Sequence, residues 1–408
     1  MRRSAPLIAG LLALTLVGAA CTSKKTSSTA DLAAIQAKLD AASAKSPGAI
    51  LRSTLDTLLG EHVALIAAAT AAQIQGRAAD LTAASDLLLR KNSTDLATAF
   101  GTIYPDAQAT FFALWKKHIA FFLDYGAAAA KNDAAGKKKA ADQLTAYATT
   151  FAAFLNGQNS LLPKDAVEKL FAEHATTLFA VIDAQTAKDY AKEYVALSAA
   201  YSHMDMIGGA LAAAIRAQHP EKLQGVPDSK PATLRAQLDA ALQEHSVLLY
   251  SLGAAILQKR APDAAAAVDQ LSTTNANDIA SIIGTAWGGS SQADFLAAWQ
   301  KQIPLYESYA RAVAAKNADG EAKYRDDLAT AADNIEKVVR GLDPQFDAGE
   351  ISDVVKLHVL SIKQVIDYLG RNRYDVAYDA LLRAIMHMDD LAADIADGVA
   401  KQFPTKFV

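Results

Sequence analysis

The chain has 408 residues, a formal net charge of −4 and 51% hydrophobic residues, which is enough apolar content for more than one core. Charges of both signs are mixed along its length, with no basic stripe interleaved with aromatics, so a nucleic-acid partner is not expected. A single cysteine excludes an internal disulfide framework.

In chain order, Arg2 and Arg3 form a positive n-region, and Leu7 to Ala20 is a run of apolar and small residues too short to span a bilayer. Residues 1–20 therefore read as a signal peptide. Gly18-Ala19-Ala20-Cys21 follows, and it resembles the lipobox of bacterial lipoproteins. In that family the Cys is diacylated on its sulfur and becomes the mature N-terminus. The pattern departs from the family's at Gly18, where Leu is usual. The resemblance implies export, lipidation at Cys21 and anchoring to a bacterial membrane, facing the periplasm or the cell exterior. Residues 21–47 then read as the lipidated Cys and a tether, whose Thr22 to Thr29 stretch has little to bury. No later stretch reads as a transmembrane helix.

From residue 48 onward strand signals are nearly absent. Ala, Leu, Lys, Asp and Gln dominate, apolar positions recur at helical spacing, and most Pro and Gly fall between periodic segments. The expected fold is all-α. A repeat organises it. Leu51 through His62 matches Leu234 through His245, 183 residues later. After a one-residue insertion the offset becomes 184, as for Trp115 and Trp299, or His203 and His387. The halves are placed at 48–223 and 231–408, with 224–230 as linker. Within the first half, His62, His118 and His174 recur every 56 residues with apolar neighbours at −4, −3 and +4. Each unit reads as a helical hairpin. Two homologous bundles of three hairpins, six helices each, are expected.

The histidines carry the chemistry. His62, His118, His174, His245 and His358 hold one place in the first helix of a hairpin, and Gln302 holds the sixth. Their apolar neighbours place them on inward stripes. Three converging His with an open position is a known metal arrangement. His203 and His387 sit in the last helix of each half, inside Tyr201-Ser202-His203-Met204-Asp205-Met206 and Ile385-Met386-His387-Met388-Asp389-Asp390. All four Met after the first residue lie in these two stretches, which points to a soft metal. The expected ligands are His62, His118, His174, His203, Met204 and Met206 in the first half. In the second they are His245, His358, His387 and Met388. Pro304 is expected to perturb the helix at Gln302 and leave the second site poorer. Glu61, Glu173 and Glu244, each beside a His, are expected on the surface, because adjacent helical residues do not face each other.

The duplicated His-bearing pattern resembles secreted bacterial helical proteins that carry copper-amine-oxidase-like names, and this implies no activity. No haem-attachment, phosphate-loop, ferritin-like or nucleophile-elbow pattern is present. The functional expectation is a cell-envelope lipoprotein binding copper, or else zinc, for buffering, sensing or delivery. One alternative is a structural or interaction lipoprotein whose histidines are core residues. Another is a haem binder using His and Met as axial ligands.

Overall fold

In this computed structural model the described residues are 43–343 and 346–407. Among them all regular structure is helical. The expected signal peptide, Cys21 and most of the expected tether lie outside the described residues.

Helix α1 spans Pro47–Ile74. A broken partner follows it, made of α2 (Ala78–Asp86), a π-helical turn (Leu87–Asn92) and α3 (Ser93–Ile103). Next, α4 (Gln108–Ala130) pairs with α5 (Ala134–Gln158), and α6 (Lys164–Ala187) with α7 (Tyr190–Gln218). The order then recurs, starting with α8 (Lys230–Leu257), α9 (Ala261–Asp269), a second π-helical turn (Gln270–Asn275) and α10 (Ala276–Trp287). After these come α11 (Gly289–Gln300), α12 (Ile303–Ala315), α13 (Ala318–Leu342), α14 (Ala348–Gly370), α15 (Tyr374–Gln402) and the short α16 (Pro404–Phe407).

The 56-residue repeat is written into the backbone. Gly76, Asn132, Lys188, Lys259, Lys316 and Asn372 all have positive φ, between 52° and 69°. Each lies fourteen residues after His62, His118, His174, His245, Gln302 or His358. At every one, the next residue donates its N–H to a carbonyl five residues back, at 2.8 to 3.0 Å, as Asp133 does to Ala128. This left-handed stop satisfies the last carbonyls and reverses the chain. The helix carrying Gln302 differs in one respect. The segment matching the continuous α4 is split into α11 and α12, with Pro304 in the first turn of α12. Proline lacks the N–H an unbroken helix needs there.

Helices α1 and α8 organise the packing. Each starts behind a serine whose hydroxyl accepts a backbone N–H, Ser46 from Ala49 and Ser229 from Ala232. A helix that is apolar nearly all round has to be enclosed on every side. Accordingly α1 packs against α4, α6 and α7, α8 packs against α12, α14 and α15, and the two pack against each other. Gly60 sets their approach: a methyl there would lie 2.6 Å from Gln243 Oε1 on α8 and 3.0 Å from the Tyr201 ring. By length and composition α1 is apolar enough to cross a membrane, contrary to the expectation that no such stretch follows the leader. In the fold it is a core helix, with 67% of its most apolar window buried.

The two halves do not keep separate cores. One hydrophobic cluster runs from Leu59, Trp115 and Phe151 in the first half to Trp299, Tyr309 and Ile385 in the second. The described residues all fall in one compact unit. The expectation of two self-contained bundles fails because neither set of partner helices covers α1 or α8 alone. Polar contacts cross the junction reciprocally. Tyr194 Oη donates to Asp263 Oδ1 at 2.6 Å, and the matching Tyr378 Oη donates to Asp80 Oδ1 at 2.7 Å. Arg77 pairs with Asp80, and Arg260 with Asp263. Such i-to-j and j-to-i pairing is what a twofold arrangement of similar halves produces.

A shared core makes unfolding of the halves concerted. Trp115 and Trp299 report on opposite halves, and Trp287→Phe combined with Trp299→Phe or Trp115→Phe leaves one reporter in each. The expected thermal midpoints by fluorescence agree, once each variant's own stability is taken from circular dichroism. Two well-separated midpoints within one variant would mean independent bundles.

Candidate metal centre

Three first helices deliver one histidine each to a single point. α1 brings His62, α4 brings His118 and α6 brings His174, all essentially without solvent contact. One ligand nitrogen from each lies within 4.8 Å of the others. His62 Nε2 and His118 Nε2 are 3.1 Å apart, so one donates to the other. A four-coordinate ion with bonds of 2.0–2.1 Å holds its ligand nitrogens about 3.3 Å apart. One pair is thus already at metal-binding spacing, and the third nitrogen, within 4.8 Å of the others, has at most about 1.5 Å to close. Both His174 nitrogens are buried without a hydrogen-bond partner, a costly arrangement that a ligand would relieve.

The walls are aromatic. Trp115 lies 4.9 Å from His62 between ring centroids, Tyr147 stacks on His118 at 5.1 Å, and Phe122 meets His174 edge-on at 5.3 Å. Burial, followed by the neighbouring imidazoles, holds His62 and His174 well below the ordinary histidine range. Burial takes His118 down to about 3, with the Trp115 carbonyl acting the other way. The three rings are therefore neutral at physiological pH, the state a metal ligand needs.

The other expected ligands lie elsewhere. His203 is buried, but its Nε2 donates to the Leu170 carbonyl at 2.7 Å, one turn before His174. It braces α7 against α6 and is not in the three-histidine cluster. Met204 and Met388 fill the core, while Met206 is 51% exposed and His203 is buried. His387 is half-buried near Asp390. The repeated His-Met-Asp pattern has a structural use instead. Asp205 pairs with Arg52 at 2.8 Å, and Asp389 pairs with Arg235 at 2.8 Å. Both arginines lie on the central helices and are anchored again by backbone carbonyls, Pro227 for Arg52 and Ala44 for Arg235.

In the second half the ring centroids of His245 and His358 are 6.0 Å apart, and Gln302 is buried in place of the second histidine. Each imidazole is tied through Nδ1, His245 to Asn275 Oδ1 at 3.2 Å and His358 to the Ala384 carbonyl at 3.3 Å. Both acceptors are oxygens, so both Nδ1 atoms carry hydrogen and both Nε2 atoms keep a lone pair. The Gln302 Nε2 amide there is without a hydrogen-bond partner.

Two expectations about carboxylates are corrected. Glu173 is exposed as expected, but Glu61 and Glu244 are buried, because neighbouring helices close over α1 and α8 at those positions. Burial pushes both carboxyls up to about 7, against hydrogen bonds from Asn92 to Glu61 and from Ser198 to Glu244. The sequence reading also missed Asn92 and Asn275, one at the end of each π-helical turn. Asn92 Nδ2 donates to the Leu58 carbonyl at 2.8 Å, and Asn275 Nδ2 donates to Ala241 at 2.8 Å. Their separation of 183 residues, the same as that of His62 and His245, was the available signal.

Fold and site together define a duplicated all-helical protein with one buried three-histidine centre and one two-histidine counterpart. Comparison with protein-family models, curated proteins and solved structures gives no match to this chain.

The raised Glu244 carboxyl predicts a pH effect. A folded pKa above the unfolded one stabilises the fold fully below the unfolded value, near 4.5, and that stability is lost as pH rises through about 7. Glu244→Gln has no proton to lose. Relative to the parent, it should gain about 2 to 3 kcal/mol between pH 5 and pH 8. Denaturant titrations at the two pH values measure this, and an equal difference at both would contradict it.

Proposed function

We propose that this protein is a cell-envelope lipoprotein that binds one transition-metal ion at His62, His118 and His174, copper in preference to zinc. Buffering, sensing or delivery of the ion would then be its role. The observation that carries the reading is the convergence of three neutral, buried imidazoles from three separate helices, with ligand atoms within 4.8 Å. The choice of copper rests on the donor set and no longer on the methionines. Imidazole suits both metals. Uncharged ligands in an aromatic pocket leave the ion's charge unbalanced, which favours a singly charged cuprous ion. The envelope location rests on the leader and the lipobox resemblance at Cys21.

The competing reading, histidines as packing residues, draws on His245 and His358, which persist in a half that lacks the third ligand. Calorimetric titration of the full chain in detergent with Cu(I) and Zn(II) separates the two. The expected result is about one tight ion per chain, lost in His118→Ala and unchanged in Gln302→Ala. Equal weak binding in all three proteins rules the metal reading out.

Anchoring is tested separately. Cys21→Ser should move the chain from the detergent phase to the aqueous phase on phase separation, and unchanged partitioning would remove the lipobox reading.

A further inference from the structure

The two halves treat their first histidine differently, although the asparagine at the end of each π-helical turn is held alike. In the second half His245 Nδ1 donates to Asn275 Oδ1 at 3.2 Å. In the first half the same asparagine is present and held the same way, with Asn92 Nδ2 on the Leu58 carbonyl at 2.8 Å. That bond fixes which end of the amide faces Leu58 and leaves Oδ1 as the free end. Yet Asn92 Oδ1 and His62 Nδ1 are both buried without a hydrogen-bond partner. His62 is instead engaged through Nε2, 3.1 Å from His118 Nε2.

A single ring proton accounts for the difference. If His62 carried hydrogen on Nδ1, that buried donor would be left without a partner, which is costly. With the hydrogen on Nε2, His62 donates to His118 and leaves Nδ1 a bare lone pair, as unpartnered as Asn92 Oδ1. The 3.1 Å contact between the two Nε2 atoms fits this second state. A metal ion needs the Nε2 lone pair. The proton then belongs on Nδ1 of the same ring, the ring stays neutral, and no proton is released from it. Asn92 Oδ1 is the group placed to accept it, as Asn275 does for His245.

We infer that Asn92 is the positioning residue of the three-histidine centre, accepting a hydrogen bond from His62 Nδ1 only when Nε2 ligates a metal ion. The π-helical turn Leu87–Asn92 supplies the geometry. Its extra residue per turn sets Asn92 against α1, and such turns recur at functional positions. Ligating histidines in general give their second N–H to an oxygen acceptor, and loss of that acceptor weakens metal affinity about 10- to 100-fold. The inference rests on the metal reading of His62, His118 and His174.

The test uses the full chain in detergent with Zn(II) as a redox-silent probe. Asn92→Ala should bind about 10- to 100-fold more weakly at unchanged stoichiometry. Asn92→Asp keeps an acceptor and should restore affinity, and Asn275→Ala should leave it unchanged. Long-range ¹⁵N–¹H spectra of histidine-labelled wild-type chain give a readout that needs no variant. His62 should carry hydrogen on Nε2 without Zn(II) and on Nδ1 with it. Unchanged affinity in Asn92→Ala, or hydrogen on Nδ1 in both wild-type states, overturns the inference and leaves the metal centre standing. No Zn(II) or Cu(I) binding by the wild-type chain defeats the metal reading itself.

Discussion

Two helices with little face for water set the terms for this molecule. α1 and α8 are long, apolar nearly all round and enclosed, so each draws three helices of its own half around it and still has a side left over. They cover that side with each other, at a spacing Gly60 keeps close. One core instead of two follows from this. So do the reciprocal tyrosine–aspartate bonds at the junction and the burial of polar residues that their sequence neighbours would place on a surface. Arg52, Asp56, Glu61, Arg235, Asp239 and Glu244 all lie on these helices and all are buried.

Burying that many ionisable groups is costly unless they are paired or neutral. The chain uses both answers. Arg52 and Arg235 are each shared between aspartates and a backbone carbonyl. Asp56 and Asp239 are pushed well above the usual carboxylate range by burial and by nearby Asp205 and Asp389. The imidazoles are driven the opposite way, to neutrality. The same enclosure that holds the fold together thus prepares neutral nitrogen donors at the histidine cluster.

Duplication then makes the two halves a comparison within one molecule. Both keep the π-helical turn, the asparagine at its end, the tryptophan three residues before His118 or Gln302, and the first and third histidines. Only one keeps the second histidine. Where Gln302 and Pro304 stand, the helix is broken and the imidazoles are tied by Nδ1 alone. Where His118 stands, the helix is continuous and His62 turns to it. A single position therefore separates a three-donor centre from a two-donor one.

The sequence by itself determined whatever depends on local periodicity. Helical class, the halves, the 56-residue hairpin unit, the break near Pro304 and the inward placement of His62, His118 and His174 are all properties of residues a few turns apart, so spacing reveals them. Tertiary structure decided what depends on the far side of each helix. His-Met-Asp looked like a ligand set, but its Met packs and its Asp reaches an arginine some 150 residues away in the chain. Glu61 and Glu244 looked solvated, because the pattern along one helix cannot show that a second helix closes over its back. The convergence of three imidazoles at one point, like the shared core, is set by how α1, α4 and α6 cross, and crossing is fixed by side-chain packing between segments distant in sequence.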